Sequence, residues 1–426
     1  MNWLKLPISQ FCKTGSGGTP SRAKLERFYG GDIPWVKSGE LKDAILTETS
    51  EHITEFAIVE SSAKLVESGA VLVAMYGATV GRTALLGIDA TTNQAVCHIL
   101  PNEKIASNKF VWYALREKLS ELLFRRVGGA QPNINQQIIK ETVLSIPPLK
   151  EQRRIVKILD QADELRRKRT EADQKAERIL PAMFIKMFGD PATNPKDLKI
   201  TTLGKVSKEF RYGTSVRCET NGHGFPVLRI PNVLKGEIDL TDLKYAELNQ
   251  NETNTLKLMY GDIIFVRTNG NPDYVGRCSV FDKEQTILFA SYLIRARIKR
   301  DLVNPWFVTS YLQTFNGRQA MAPFIRTTAG QSNINIDGLK QIPIPLPKVE
   351  VQEQFINYFF QLRKIKNDSQ KSEILISNIF KNLLQRAFSG ELTAKWRESH
   401  LKELLEEMEI QRRELDIKDS KAAMLF

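Results

Sequence analysis

The chain has 426 residues, 42% of them apolar and 26% charged, which is too long for one ordinary core and apolar enough for two. Its formal charge of +12 favours a polyanionic partner. Four scattered cysteines (Cys12, Cys97, Cys218, Cys278) with no CxxC pair exclude a disulfide framework and predict a reduced, cytoplasmic protein. The opening MNWLKLPISQ lacks the apolar core of a signal peptide, and no run approaches the ~18 apolar residues of a membrane span. The charge is spread rather than gathered in a basic tail. Residues 191–350 carry 21 basic and 15 acidic side chains, against 17 and 14 in residues 1–150.

In chain order, residues 15–20 form a Gly-rich loop without the Gly-Lys-Ser/Thr that closes a P-loop. The β-branched run 70–75 predicts a short strand and residues 109–124 a helix. Ile146-Pro147-Pro148-Leu149 stops regular structure, because proline neither continues a helix nor donates to a ladder. A long polar helix is predicted over 149–190. Strands follow at 263–266 and 279–281, then a helix from 305, a second proline break at 342–347 and a second long helix over 349–395. Residues 396–426 read as a helical tail offered to a partner.

This order repeats with a period near 200 residues. Ile33-Pro34-Trp35-Val36-Lys37 answers Phe225-Pro226-Val227-Leu228-Arg229, and Val80-Gly81-Arg82 answers Val275-Gly276-Arg277. Gln131-Pro132-Asn133-Ile134-Asn135 answers Gln331-Ser332-Asn333-Ile334-Asn335. The chain is two copies of one plan.

Each long helix carries an apolar seam at three- and four-residue steps. Ile155, Ile158, Ala162, Leu165, Ala176 and Ile179 form it in the first copy. Phe355, Leu362, Ile365, Ile376, Ile379 and Leu383 form it in the second. The fold expected is α+β: two β-rich domains in pseudo-twofold arrangement, joined by two antiparallel coiled-coil helices, with Arg169 opposite Ser369. Val156, Leu159, Leu180 and Phe184, and Leu401, Leu404, Leu405 and Met408 in the tail, are expected outside the seam as a partner surface.

The sequence offers no catalytic signature. It has no Gly-x-Gly-x-x-Gly after a strand, no Asn/Asp-Pro-Pro-Tyr/Phe, and no metal spacing among His52, His98, His223 and His400.

Several stretches together resemble the specificity (S) subunits of Type I restriction–modification systems. They are Gly17-Gly18-Thr19-Pro20-Ser21 with Tyr29 through Leu41, Pro147-Pro148-Leu149-x-Glu151-Gln152, Phe188-Gly189-Asp190-Pro191, Leu228-Arg229-Ile230-x-Asn232-Val233, Thr328-x-Gly330-Gln331, and Phe388-Ser389-Gly390-Glu391-Leu392-Thr393 with Trp396. The resemblance implies a non-catalytic subunit with one target recognition domain at 1–148 and another at 191–348, spaced by conserved helices at 149–190 and 349–395. It implies as partners double-stranded DNA, two methyltransferase (M) subunits and restriction/translocase (R) subunits. S-adenosylmethionine, ATP and Mg would be bound by those partners and no cofactor by this chain. A fused methyltransferase, a coiled-coil adaptor and the same reader in a methylation-only or Type IIB-like assembly stand as alternatives.

Reading bases favours Arg on guanine and Asn or Gln on adenine. In the second domain Arg229, Arg267, Asn269, Asn271 and Arg277 are the candidates; in the first, Lys37, Ser38, Tyr76 and Arg82. Lys13, Arg22, Lys235 and Arg326 suit phosphates, which position the protein without specifying sequence. Gln131, Asn135, Gln331 and Asn335 are expected to pin loops.

Overall fold

The computed structural model describes residues 2–125, 133–190, 193–220 and 222–415. Gln131, Pro132, Pro191 and the end of the predicted tail lie outside them. The chain forms two compact units, Met1–Arg169 with Ser372–Phe426, and Thr170–Lys371. Six helices matter below: α1 (Asn108–Glu117), α2 (Leu149–Glu177), α3 (Ile179–Phe188), α4 (Pro305–Gln313), α5 (Val349–Phe388) and α6 (Leu401–Glu414).

In the first unit a five-stranded sheet runs Cys12–Ser16, Val96–Pro101, Val71–Ala74, Thr83–Leu86, Ala44–Leu46, with only the last pair parallel. Val71–Ala74 and Thr83–Leu86 are buried throughout, which is why the first reads as an uninterrupted apolar run. A second sheet sets Tyr29–Val36 parallel to Ala90–Thr92, and Leu4–Pro7 pairs with Val143–Ile146.

The second unit repeats this topology. Its sheet runs Ser207–Tyr212, Leu293–Ile298, Ile263–Val266, Cys278–Val280. Phe225–Leu228 runs parallel to Leu288–Phe289, and Ile200–Thr202 pairs with Pro343–Pro345. Even single bonds recur: Asn93 N–H donates to Val36 O, and Ala290 N–H to Leu228 O, both at 2.9 Å.

One glutamine in each copy ties the long helix to its head. Gln152 accepts from Ser107 N–H at 2.9 Å and donates to the Ile105 and Pro147 carbonyls, each at 2.8 Å. Gln352 accepts from Asn304 N–H at 2.8 Å and donates to the Leu302 and Pro347 carbonyls. Both are fully buried, and each satisfies a carbonyl at its proline break together with an N–H and a carbonyl just ahead of α1 or α4.

The helices pack antiparallel within each unit. In the first, Phe380, Leu384 and Ala387 of α5 share a core with Ile155 and Leu159 of α2 and with Phe110, Val111 and Tyr113 of α1. In the second, Phe355 stands edge-on to Phe184 and Phe188 of α3, each with centroids 5.5 Å away.

Three expectations about these helices are corrected. First, Ser369 donates its hydroxyl to Asp173, one turn beyond the residue expected opposite it. Second, of the expected seam only Ile155 and Phe355 are fully buried. Ile158, Ala162, Ala176, Leu362, Ile376 and Leu383 are half-buried, and Leu165, Ile179, Ile365 and Ile379 are exposed. Helix α2 buries Gln152, Ile155, Leu159 and Asp163 instead. Steps of three, four and four exceed the 3.5-residue coiled-coil repeat, so the buried stripe drifts from the partner helix onto the domain's own core. Leu159 and Phe184 are accordingly core residues, not an outer surface.

Third, the predicted helix over 149–190 is two helices divided at Arg178. Pro181 cannot donate to the Glu177 carbonyl and its ring crowds that oxygen. Position 381 is lysine, and α5 continues unbroken for 40 residues. The tail is also less free than expected. Leu404, Met408 and Gln411 of α6 are buried in the first unit, leaving Leu401 and Leu405 outside.

Candidate nucleic-acid interface

In both heads a fully buried strand delivers a polar loop to the surface. In the second head Ile263–Val266 ends at Arg267, whose N–H donates to Tyr292 O and whose carbonyl accepts from Ile334 N–H, both at 2.9 Å. The Arg267 guanidinium lies 4.8 Å over the Tyr212 ring and donates to Ser291 O at 3.3 Å. The loop then shapes itself. Asn269 Oδ1 accepts from Asn271 N–H at 2.9 Å, and Asn271 Oδ1 accepts from Asp273 N–H at 3.0 Å, capping the turn Pro272–Tyr274. Arg277 is exposed, lies 4.7 Å over the Tyr274 ring and donates to Asp273 O at 3.1 Å. Gly276, with φ +75°, precedes it; a Cβ there would fall 1.9 Å from the Met321 sulfur.

The first head repeats the loop on a different chemistry. Val71–Ala74 leads through buried Met75 to Tyr76, which is 40% exposed. A turn at Gly77–Thr79 and Gly81 (φ +82°) then present the exposed Arg82. Ala74 N–H donates to Arg82 O just as Val266 N–H donates to Arg277 O.

The remaining candidates are elsewhere or already engaged. Lys37 caps the turn Ser38–Glu40 and pairs with Glu51 at 2.7 Å; Ser38 is half-buried within that turn. Arg22 pairs with the same carboxylate at 2.6 Å and stacks 4.2 Å over Tyr29. Lys37 first, and Arg22 after it, hold the Glu51 carboxyl below its usual range. Arg229 is drawn inward to Asp242, donating to its carboxylate at 2.7 Å and its carbonyl at 2.9 Å. Lys235 is 78% exposed and 3.6 Å from Asp239. Lys13 is exposed on the edge strand Cys12–Ser16, and Arg326 on the strand Arg326–Thr328. The structure thus gathers Arg267, Asn269, Asn271 and Arg277 on one loop, and Tyr76 with Arg82 on its counterpart.

Sequence reasoning passed over Tyr212 and Tyr292, which flank Arg267 and are 38% and 57% exposed. The alternation within Phe210-Arg211-Tyr212 was the available signal. Asn135 and Asn335 pin helices: their side chains accept from Ile138 and Gly338 N–H, each at 2.8 Å.

Nothing nearby is arranged for metal chemistry. Among the described residues no three His, Cys, Asp or Glu side chains gather as metal ligands, and no helix is long and apolar enough to cross a membrane. Burial pushes the Cys97 and Cys278 thiols up to about 12, far from reactive thiolates.

Comparison with known proteins agrees with this geometry. The profile of the Type I restriction modification DNA specificity domain matches residues 1–177 and again 195–376. The EcoKI specificity subunit of Escherichia coli K12 is 26% identical over 93% of this chain and 90% of its own length. The StySPI specificity subunit of Salmonella potsdam is 23% identical over the same shares. Two solved folds cover over nine-tenths of the chain at 18% identity. One, from a study of assembly and conformational transition in a type I R-M system, has a TM-score of 0.59 and is 98% covered. The other, the S subunit from M. genitalium, has a TM-score of 0.54 and is 96% covered. With two copies of that domain, each ending in a long helix, the chain belongs to the family of Type I restriction–modification specificity subunits, the non-catalytic DNA-recognition components of those systems.

Proposed function

We propose that each β-rich head of this chain reads one half of a split site in double-stranded DNA, and that the helices α2, α3 and α5 set the unread spacer. Two methyltransferase subunits docked along the helices bring S-adenosylmethionine to adenine. Restriction/translocase subunits bring ATP and Mg. The observation that carries the reading is the duplicated loop, with Gly81 presenting Arg82 and Gly276 presenting Arg277 on matched buried strands. Recognition divided between two heads needs only ~1–3 kcal/mol of discrimination per base pair from each contact, and a fixed spacer multiplies the two specificities.

The chain reconstituted with methyltransferase subunits is the test material, with methylated adenines mapped on genomic DNA. The expected result is two short half-sequences at constant separation. Inserting seven residues beside Asp173 and seven beside Ser369 lengthens the pair by roughly 10 Å at ~1.5 Å per residue. The separation then grows by about three base pairs at ~3.4 Å each, with both half-sequences unchanged. A contiguous site, or a spacer indifferent to the insertion, refutes the reading.

A further inference from the structure

The second head carries a feature that the loop around Arg277 does not account for. Strands Arg326–Thr328 and Gln331–Asn333 form a hairpin with Thr328 opposite Gln331 and a two-residue turn at Ala329-Gly330. Both turn residues have positive φ, +49° and +76°, the geometry that matches the twist of a tight ribbon. All six residues from Arg326 to Gln331 are exposed, whereas Ser332 is fully buried and bonds Thr327 at 2.7 Å. The strand Thr268–Asn269 pairs with Ser332 and Asn333 on the other side, so the hairpin is fixed at its root and exposed at its tip.

Resting on the DNA-reading proposal above, we infer that this hairpin is a ribbon that enters the major groove, with Gln331 reading adenine and Arg326 reading guanine. The dimensions agree. Three residues at ~3.4 Å reach about 10 Å. The major groove is about 8.5 Å deep and about 12 Å wide, and it admits a two-stranded ribbon.

The charge agrees as well. No aspartate or glutamate occurs between Asp301 and Asp337, so the ribbon and its flanks offer a phosphate-lined groove no repulsion of their own. The adjoining turn holds one carboxylate, Asp273, beside Arg277 and Arg318, which both donate to its carbonyl. Alternation along the strands puts Arg326, Thr328, Gln331 and Asn333 on one face. Gln331 Nε2 donates to Thr268 Oγ1 at 3.1 Å, which orients the amide. One N–H and the carbonyl oxygen remain, the donor and acceptor that adenine N7 and N6–H require. Gln331 is therefore a reader, unlike Asn335, which caps a helix.

The experiment is binding-site selection from random duplexes, using the full chain with its methyltransferase partners. The chain carries Gln331→Ala, Arg326→Ala or neither. The unaltered complex selects a split site. Each variant loses preference at one or two adjacent base pairs in one half, by about tenfold, while the other half stays unchanged and certifies that the complex is folded. Gln331→Glu keeps the shape and shifts preference from adenine toward cytosine, whose amino group donates; it decides the matter if an alanine variant fails to fold. Variants that select the unaltered site, or that weaken every sequence equally, overturn the ribbon and leave the two-headed reading standing. An unaltered complex that selects no site overturns both.

Discussion

Glu151 is fully buried and accepts from three groups that lie far from it in sequence. They are Arg397 Nε at 2.8 Å, Thr393 Oγ1 at 2.6 Å and Trp3 Nε1 at 3.1 Å. Arg397 also lies 5.0 Å over the Trp3 ring and donates to Gly390 O at 2.6 Å. Removing the carboxylate in Glu151→Ala leaves a largely buried guanidinium without its counter-charge, which costs about 3–5 kcal/mol in comparable cases. The loss falls on the segment around Ala394–Ser399, because α6 keeps its own anchors. Gln411 still donates to Ile105 O at 2.8 Å, and Leu404 and Met408 stay buried. Amide exchange across Ala394–Ser399 should therefore quicken by about a hundredfold or more, while Leu401–Glu414 changes little. Position 351, which answers 151, is valine. The apolar pair Glu151→Val with Arg397→Leu should accordingly recover most of the protection, since well-packed apolar groups often replace a buried pair without loss. Protection within a few-fold of the unaltered chain in Glu151→Ala, or a double variant as open as the single one, refutes the reasoning.

Gln352→Ala strands one N–H and two carbonyls and should lower the second head's unfolding free energy by about 2–4 kcal/mol in denaturant titrations; Gln152→Ala strands only the Ser107 N–H, since Gln411 still donates to the Ile105 and Pro147 carbonyls, and should cost about 1–2 kcal/mol. The Glu51 carboxyl is held low by Lys37 and then Arg22, so its stabilisation is full above the ordinary value near 4.5 and is lost as pH falls through the lower folded value. Glu51→Gln should remove that acid-sensitive component of the first head's unfolding, which scans at pH 3 and pH 6 would show. Pro181→Ala restores the donor to Glu177 O and should join α2 to α3 across the single residue Arg178, which slower amide exchange over residues 178–182 would show.

What the sequence disclosed is what depends on local or duplicated pattern. Val71–Ala74 and Ile263–Val266 announce themselves as buried strands because every side chain is apolar, and the paired Val-Gly-Arg motifs mark the loop that follows. The antiparallel helices were legible from the register of the repeat. Their faces were not, because a 3.5-residue seam and a 3.67-residue stripe differ by less than one position per turn, and only the head's core at Phe110 and Tyr113 chooses between them. Arg229 looked as free as Arg277. Asp242, thirteen residues on, captures one, while the other is left at the surface by a glycine turn. Such pairings are set by tertiary approach, and composition carries no trace of them.

The two copies diverge where their chains must be joined differently. In the second unit the segment after Phe188 runs by peptide bonds to the strand Ile200–Thr202 that pairs with Pro343–Pro345. In the first, the segment after Phe388 is tied beside the strand Leu4–Pro7 by the contacts of Arg397 with Glu151 and Trp3. The Glu151, Arg397 and Trp3 cluster stands where the covalent link stands in the other copy. This accounts for a charged residue at 151 against valine at 351, while the glutamine beside each is kept in both. A covalent link holds a segment at any local concentration. A buried ion pair holds it only while desolvated, which requires the packing of α6 through Leu404 and Met408. The helical tail is therefore a closing element of the first head, and the first head depends on residues nearly four hundred positions away, whereas the second is complete within Thr170–Lys371.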